Sequence, residues 1–199
     1  MKLATTTTNI RQHILDTARP IISSKGFVAV GLNEILLAAG VPKGSFYHYF
    51  KSKEAFGEAL LEGYFVEYSV QLETMLTLQG HSAEQRLMSY WQYWMDIETN
   101  CDPKGKCLVV KLAAEVSDLS ENMRKVLEQG TERIITRLAQ TLREGIDDGS
   151  LKPWTGSREA AVTLYQLWMG ASLRAKITRD QEPLESALAT TRRLLVLKA

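Results

Sequence analysis

From Gly40 to Lys53 the chain reads Gly-Val-Pro-Lys-Gly-Ser-Phe-Tyr-His-Tyr-Phe-Lys-Ser-Lys, a run that mixes cations, hydroxyls and an imidazole with four aromatic rings. Phe46 and Phe50 stand four apart, so on a helix they share one face and can pack into a small core. Lys43, Ser45, Tyr47 and His48 then point elsewhere. Consecutive aromatics cannot all turn inward on a short helix, which leaves part of the Tyr47-His48-Tyr49 run outside, beside three lysines. Lys and Tyr donate to phosphate oxygens, Ser and His reach base edges, and Gly44 lets the start of the helix come close to a duplex. An aromatic core cluster with solvated lysines is the plain alternative; the pattern favours a helix that reads DNA, with Lys43, Gly44, Ser45, Tyr47, His48, Tyr49 and Lys53 as its contact set.

A second chemistry is offered by Cys107, the first residue of an apolar stretch that reads as a buried helix (Cys107 to Val116) after the turn Cys101-Asp102-Pro103-Lys104-Gly105-Lys106. A cysteine at a helix N-terminus, with Lys106 beside it and Lys111 one turn on, sits in a positive field that favours thiolate, the form that reacts with electrophiles and oxidants. Unpaired cysteines are also common as inert small hydrophobes in cores, and the residues alone leave the two readings even. A third candidate is aromatic. Leu87, Tyr90, Trp91, Trp94 and Ile97 share a broad helical face, and Trp91 and Trp94 with Tyr165 and Trp168 could line a pocket between helices for an apolar ligand, although core packing is the commoner use of such a stripe.

The elements that must hold these groups are helical throughout. Ile10, Ile14, Ala18, Ile21 and Ile22 define a first helix, capped by Thr8 or Asn9 and closed at Gly26, with Pro20 expected to disturb it locally. Leu32 to Ala39 form a second, closed by Gly40, and Pro42 suits the first turn of a third. Ser52 caps a long fourth helix reaching Leu76; its N-terminus with Lys53 suits a phosphate. Further helices follow from Ala83, Cys107, Ser120 and Ala160, and a last one opens at Pro183. The expected fold is therefore all-α, with a DNA-binding head at 1–53 and a larger helical body at 54–199.

Composition agrees with this division. With 199 residues, 45% of them hydrophobic, the chain can bury a substantial core. The net charge of +1 hides an asymmetry: seven basic residues face two acidic ones in the first 53 positions, and seventeen face twenty-one in the rest. A basic head on an acidic body is the footprint expected where only the head meets phosphate. No apolar run is long enough for a membrane span, and the threonine-rich start lacks an apolar signal segment, so a cytoplasmic protein is expected. Two cysteines make no disulfide framework and the three histidines show no ligand spacing, so no metal and no cofactor are expected. An enzyme with Cys107 as nucleophile is disfavoured: no histidine lies near it in sequence, and no nucleophile elbow or phosphate loop occurs.

Residues 10–60 resemble the DNA-binding domain of the TetR family of bacterial repressors, through Ile14-Leu15, Gly26-Phe27, Leu32 to Val41, Gly44 to Phe50 and Ser52-Lys53-Glu54. The resemblance implies a three-helix helix-turn-helix head, a helical sensor body and a two-fold dimer through the last two helices, able to read a palindromic operator. The body, at Cys107-Leu108, Val110-Lys111-Leu112, Ala114-Glu115-Val116, Asp118 to Glu121, Gly170-Ala171, Ala175-Lys176-Ile177 and Glu182 to Glu185, resembles the electrophile-sensing repressors of that family. This likeness implies that Cys107 occupies a sensing position, with Lys176 a candidate cationic neighbour, and that a small electrophile or oxidant is the signal. Modification would then shift the body and, through the fourth helix, the spacing of the two heads. A non-covalent apolar inducer at Trp91, Trp94, Tyr165 and Trp168, with Cys107 merely structural, is the competing expectation.

Overall fold

The structure, a computed structural model, describes residues 3–100, 107–153 and 156–195, with side chains from residue 10 onward. Among these residues run nine helices: α1 (Leu3–Lys25), α2 (Leu32–Ala39), α3 (Lys43–Tyr49), α4 (Lys53–Leu76), α5 (Ala83–Thr99), α6 (Leu108–Leu119), α7 (Glu121–Asp147), α8 (Ser157–Thr178) and α9 (Glu182–Leu195). The all-α expectation holds. Two details differ from it. Helix α1 starts at Leu3, so Thr8 and Asn9 lie within it rather than capping it, and it continues through Pro20 to Lys25. Pro42 is the N-cap of α3, with extended backbone, rather than a residue of its first turn. The expected turn at Cys101 to Lys106 lies outside the described residues.

The chain forms two compact units, one comprising Met1–Phe65 and Cys101–Glu128, the other Val66–Asn100 and Gln129–Ala199. Helices α4 and α7 each give their first stretch to the first unit and the remainder to the second.

In the first unit, Ile14, Ala18 and Ile22 of α1 make a fully buried stripe at four-residue spacing, joined in the core by Phe27, Ile35, Phe46 and Phe56. Helix α2 ends at Gly40, whose φ of 63° is the left-handed close that glycine adopts without strain; its N–H caps the α2 carbonyls. The imidazole of His13 lies 2.9 Å from the carbonyl oxygen of Ala39, tying α1 to the end of α2. Phe46, Phe50 and Phe56 form a ring triad with centroids 5.1–5.5 Å apart. Each such ring, fully buried, contributes about 1.5–3 kcal/mol, which explains how a seven-residue α3 stays in place. Ser52 caps α4, accepting from the N–H of Ala55 at 3.0 Å.

The second unit is organised around tryptophan. Trp91 and Trp168 stack at 5.1 Å with 14° between their planes, and Trp94 meets Trp91, Tyr165 and Trp168 at 5.7–6.1 Å. Ser82 and Gln85 form a capping box at the start of α5, whose next amides, those of Ala83 and Glu84, donate to Asp148 and Ser150 of the turn after α7. The carbonyl of Leu76, last residue of α4, accepts from both Arg86 and Arg137. Two guanidiniums thus meet the negative end of that helix.

Candidate nucleic-acid interface and thiol site

Helix α3 divides its residues as the spacing predicts. Phe46 is buried and Phe50, at the C-cap, is buried against it, while Lys43, Gly44, Tyr47 and His48 are exposed and Ser45 and Tyr49 half-buried. Tyr47, 49% exposed, rests edge-on against Phe46 at 5.6 Å, with the Lys43 ammonium 6.0 Å from its ring centroid. His48 and Tyr49 meet edge-on at 4.8 Å. A Cβ added at Gly44 would touch nothing, so that side of the helix start is open. The exposed set thus offers one cation, a phenol and an imidazole on a short helix that follows a second helix across a tight turn.

Lys53 is placed differently from the other six. Its ammonium donates to the carbonyl oxygens of Phe27 and Val28 at 2.8 and 3.4 Å and lies 4.8 Å from the Phe27 ring centroid. It is thereby directed to the turn after α1. At the same helix start, the backbone N–H of Glu54 and the Ser52 hydroxyl hold the Glu54 carboxyl below its usual range.

Cys107 is the N-cap of α6, 4% exposed, and its carbonyl accepts from the N–H of Lys111. The Tyr64 hydroxyl of α4 donates to its sulfur at 3.6 Å. Above the Tyr64 ring, at 5.3 Å, lies the guanidinium of Arg19 from α1. Cys107 therefore belongs to the same compact unit as the DNA-binding helices. Lys176 belongs to the second unit, where its ammonium lies 4.0 Å from the almost buried carboxylate of Glu98.

Sequence reasoning passed over two groups in this unit. Tyr64 was legible only as an apolar position of α4. Glu115 of α6 accepts from the N–H groups of Phe27 and Val28 at 3.1 and 2.6 Å, although 88 and 87 residues separate them in the chain. The one local hint is Gly26, which takes a φ of 96° and brings the backbone to 3.1 Å, measured from an added Cβ, of the Glu115 carboxylate. The four proposed pocket residues, Trp91, Trp94, Tyr165 and Trp168, are brought together as neighbours in one buried cluster. The Trp94 N–H donates to the Ser172 hydroxyl and the Trp168 N–H to the Thr191 hydroxyl. Among the described residues no group of three or more His, Cys, Asp or Glu side chains is placed to hold a metal, and no helix is long and apolar enough to cross a membrane.

Comparison with known proteins agrees with this geometry. Residues 14–60 match the family described as bacterial regulatory proteins, tetR family, and residues 83–191 match the tetracyclin repressor-like C-terminal domain. The chain is 41% identical to the HTH-type transcriptional repressor NemR of Escherichia coli K12 over 189 residues, 95% of each chain. It is 33% identical to the HTH-type transcriptional repressor DhaR of Mycobacterium sp. strain GP1, over 91% of this chain and 89% of that one. The crystal structure of the reduced form of E. coli NemR superposes with a TM-score of 0.90, covering 96% of this chain and 99% of that one. A helix-turn-helix head, a helical body and these relatives together make the chain a member of the TetR family of DNA-binding transcriptional repressors.

Proposed function

We propose that this repressor grips a palindromic operator as a two-fold dimer and lets go when Cys107 is alkylated or oxidised. The observation that carries the thiol half is the pairing of the Cys107 sulfur with the Tyr64 hydroxyl at the start of α6. Helix N-terminus and phenol both favour negative charge on sulfur, and thiolate is the nucleophile. A group added to a side chain as buried as this one must displace its neighbours. The likeness to NemR, a relative described in a reduced form, supports the same reading and retains Lys176 as the candidate cation of the sensing set.

Lys43, Gly44, Ser45, Tyr47, His48 and Tyr49 are the proposed operator contacts, Lys43 and Tyr47 serving phosphates and Ser45 and His48 base edges. The dimer is proposed through α8 and α9. Along α8, Gly170, Leu173 and Ile177 recur at helical spacing, Leu173 and Ile177 are exposed, and Gly170 faces open space, which suits close approach by a symmetric copy.

The test is a gel-shift titration with a duplex that the protein itself selects from a random pool, before and after treatment with N-ethylmaleimide. Wild type is expected to release the duplex and Cys107→Ser to retain it; release by Cys107→Ser overturns the thiol half.

A second reading rests on Trp91, whose indole N–H is buried inside the aromatic cluster with no acceptor among the described residues. A ligand oxygen there would satisfy it, making the inducer a non-covalent, largely apolar molecule. Mass spectrometry after mild electrophile exposure separates the two readings, since this one requires no adduct on Cys107.

A further inference from the structure

The turn that joins α1 to α2 is held from both sides by charge. Helix α1 ends at Lys25, and Gly26, with φ of 96°, swings the chain so that two successive amides, Phe27 and Val28, point at one carboxylate. Phe27 N–H donates to Glu115 Oε2 and Val28 N–H to Glu115 Oε1, one amide for each oxygen. The carbonyls of the same two residues accept from Lys53 at the start of α4. Phe27 itself is buried, and its ring fits so closely over Gly57 of α4 that a Cβ there would come within 2.7 Å of it. The turn is thus pinned to α4 by Lys53 and Phe27, and to α6 by Glu115.

Two features set the α6 contact apart from ordinary packing. Hydrogen bonds to a charged acceptor are about twice as strong as neutral ones, and this carboxylate takes two at once. It also lies on the same helix as Cys107, eight residues on, or about 12 Å along a rigid rod. The segment it holds leads directly into α2, which with α3 makes the helix-turn-helix. A displacement of α6 that withdraws the carboxylate leaves two backbone amides to find other acceptors and frees the start of α2 to move.

We propose that Glu115 is a positioning residue for DNA binding: its carboxylate holds the α1–α2 turn in the arrangement that fits the operator, and withdrawal of that carboxylate is how a change at Cys107 reaches the head. The second half of this inference rests on the thiol reading above; the first half does not. The geometry assigns the role to the charge and to both oxygens together, so the isosteric amide, which keeps the volume and one acceptor, is expected to fail.

The experiment uses the full-length protein and the duplex it selects from a random pool, at fixed salt, with wild type and Glu115→Gln compared before and after N-ethylmaleimide. Unmodified E115Q is expected to bind about tenfold more weakly than wild type, with the Phe27 and Val28 amides exchanging hydrogen about tenfold faster. Its Cys107 is expected to be alkylated as in wild type, while the ratio of affinities before and after alkylation falls toward one. Wild-type affinity together with wild-type exchange at those two amides overturns the proposal. If alkylated wild type keeps its full affinity, the thiol reading falls, and the positioning role stands or falls on the unmodified E115Q result. Should E115Q fold poorly, exchange at Phe27 and Val28 in wild type decides the coupling: faster after alkylation supports it, and no change overturns it.

Discussion

The hydroxyl of Tyr64 donates to the sulfur of Cys107 across 3.6 Å, joining α4 to the first residue of α6 inside the unit that carries the DNA-binding helices. Tyr64→Phe keeps the ring, its edge-on contact with Phe65 at 5.2 Å and the Arg19 stack, and removes the hydroxyl. Alkylation of Cys107 by N-ethylmaleimide is expected to slow by about threefold to tenfold, because a thiolate loses a hydrogen bond but gains some intrinsic nucleophilicity. Pseudo-first-order rates followed by mass spectrometry would show this. Equal rates in the two proteins would reduce Tyr64 to packing.

Lys43 is exposed at the head of α3, with its ammonium 6.0 Å from the centroid of the Tyr47 ring. Lys43→Ala is expected to leave unfolding unchanged and to weaken binding on every duplex by a similar factor, lowering the slope of log affinity against log salt by about one per protomer. His48→Ala, by contrast, is expected to change which duplexes are preferred. Titrations at three salt concentrations check the first expectation, and a repeated selection from a random pool checks the second.

Arg137 is a buried cation whose nitrogens are all engaged: Nε with Glu73 at 3.0 Å, Nη1 with the Thr141 hydroxyl at 2.8 Å, and Nη2 with the Leu76 carbonyl at 2.9 Å. Arg137→Ala is expected to cost about 2–4 kcal/mol in urea unfolding, since it removes a buried cation's bonds to the Glu73 carboxylate, the Thr141 hydroxyl and the Leu76 carbonyl and leaves Arg86 as that carbonyl's remaining guanidinium donor. The exposed Arg124, paired with Glu121 and Glu128 on one helix face, is the contrast: Arg124→Ala is expected to leave the urea midpoint close to that of wild type.

Two glycines of α4 should respond in opposite directions. A Cβ at Gly57 would lie 2.6 Å from the Met123 sulfur and 2.7 Å from the Phe27 ring, so Gly57→Ala is expected to destabilise by about 1–3 kcal/mol. A Cβ at Gly63 meets nothing, and Gly63→Ala is expected to stabilise by about 0.5–1 kcal/mol through helix propensity alone. Thermal unfolding of both variants beside wild type is the check.

Asp148 gives a pH signature. Burial opposes its ionisation, but hydrogen bonds from the Ser150 hydroxyl and from the Ala83 and Ser150 N–H groups, with Arg86 nearby, outweigh this and hold its carboxyl below the ordinary value of 3.8. A carboxyl depressed on folding stabilises the native state fully above its unfolded value, and that stabilisation is lost as pH falls through the folded one. Asp148→Asn is therefore expected to melt below wild type at neutral pH, with the gap narrowing in acid below 3.8. A gap that stays constant with pH would exclude the charge as its source.

The head was legible because its signals are local. Phe46 and Phe50 at four-residue spacing, Gly40 after an apolar stripe and Ser52 before Lys53 each report on the next turn of chain, and the helices they imply are present. The start of α1 was misplaced because Thr8 and Asn9 are good caps by type, and type alone does not say whether a helix has already begun. What the sequence could not display is which distant groups meet. Lys53 is bound to the Phe27 and Val28 carbonyls, and Glu115 to their amides, by pairings that no periodicity encodes. The hydroxyl partners of Trp94 and Trp168, Ser172 and Thr191, are hidden for the same reason.

The ring triad of Phe46, Phe50 and Phe56 anchors α3 by its inner side, while Lys43, Gly44 and His48 on the outer side take no part in that triad. Under the contact set proposed above, target preference and structural integrity are separable traits in this molecule. With the operator contacts proposed above, descendants of the gene can exchange Lys43 or His48 and shift to new promoters one substitution at a time, without passing through an unfolded ancestor.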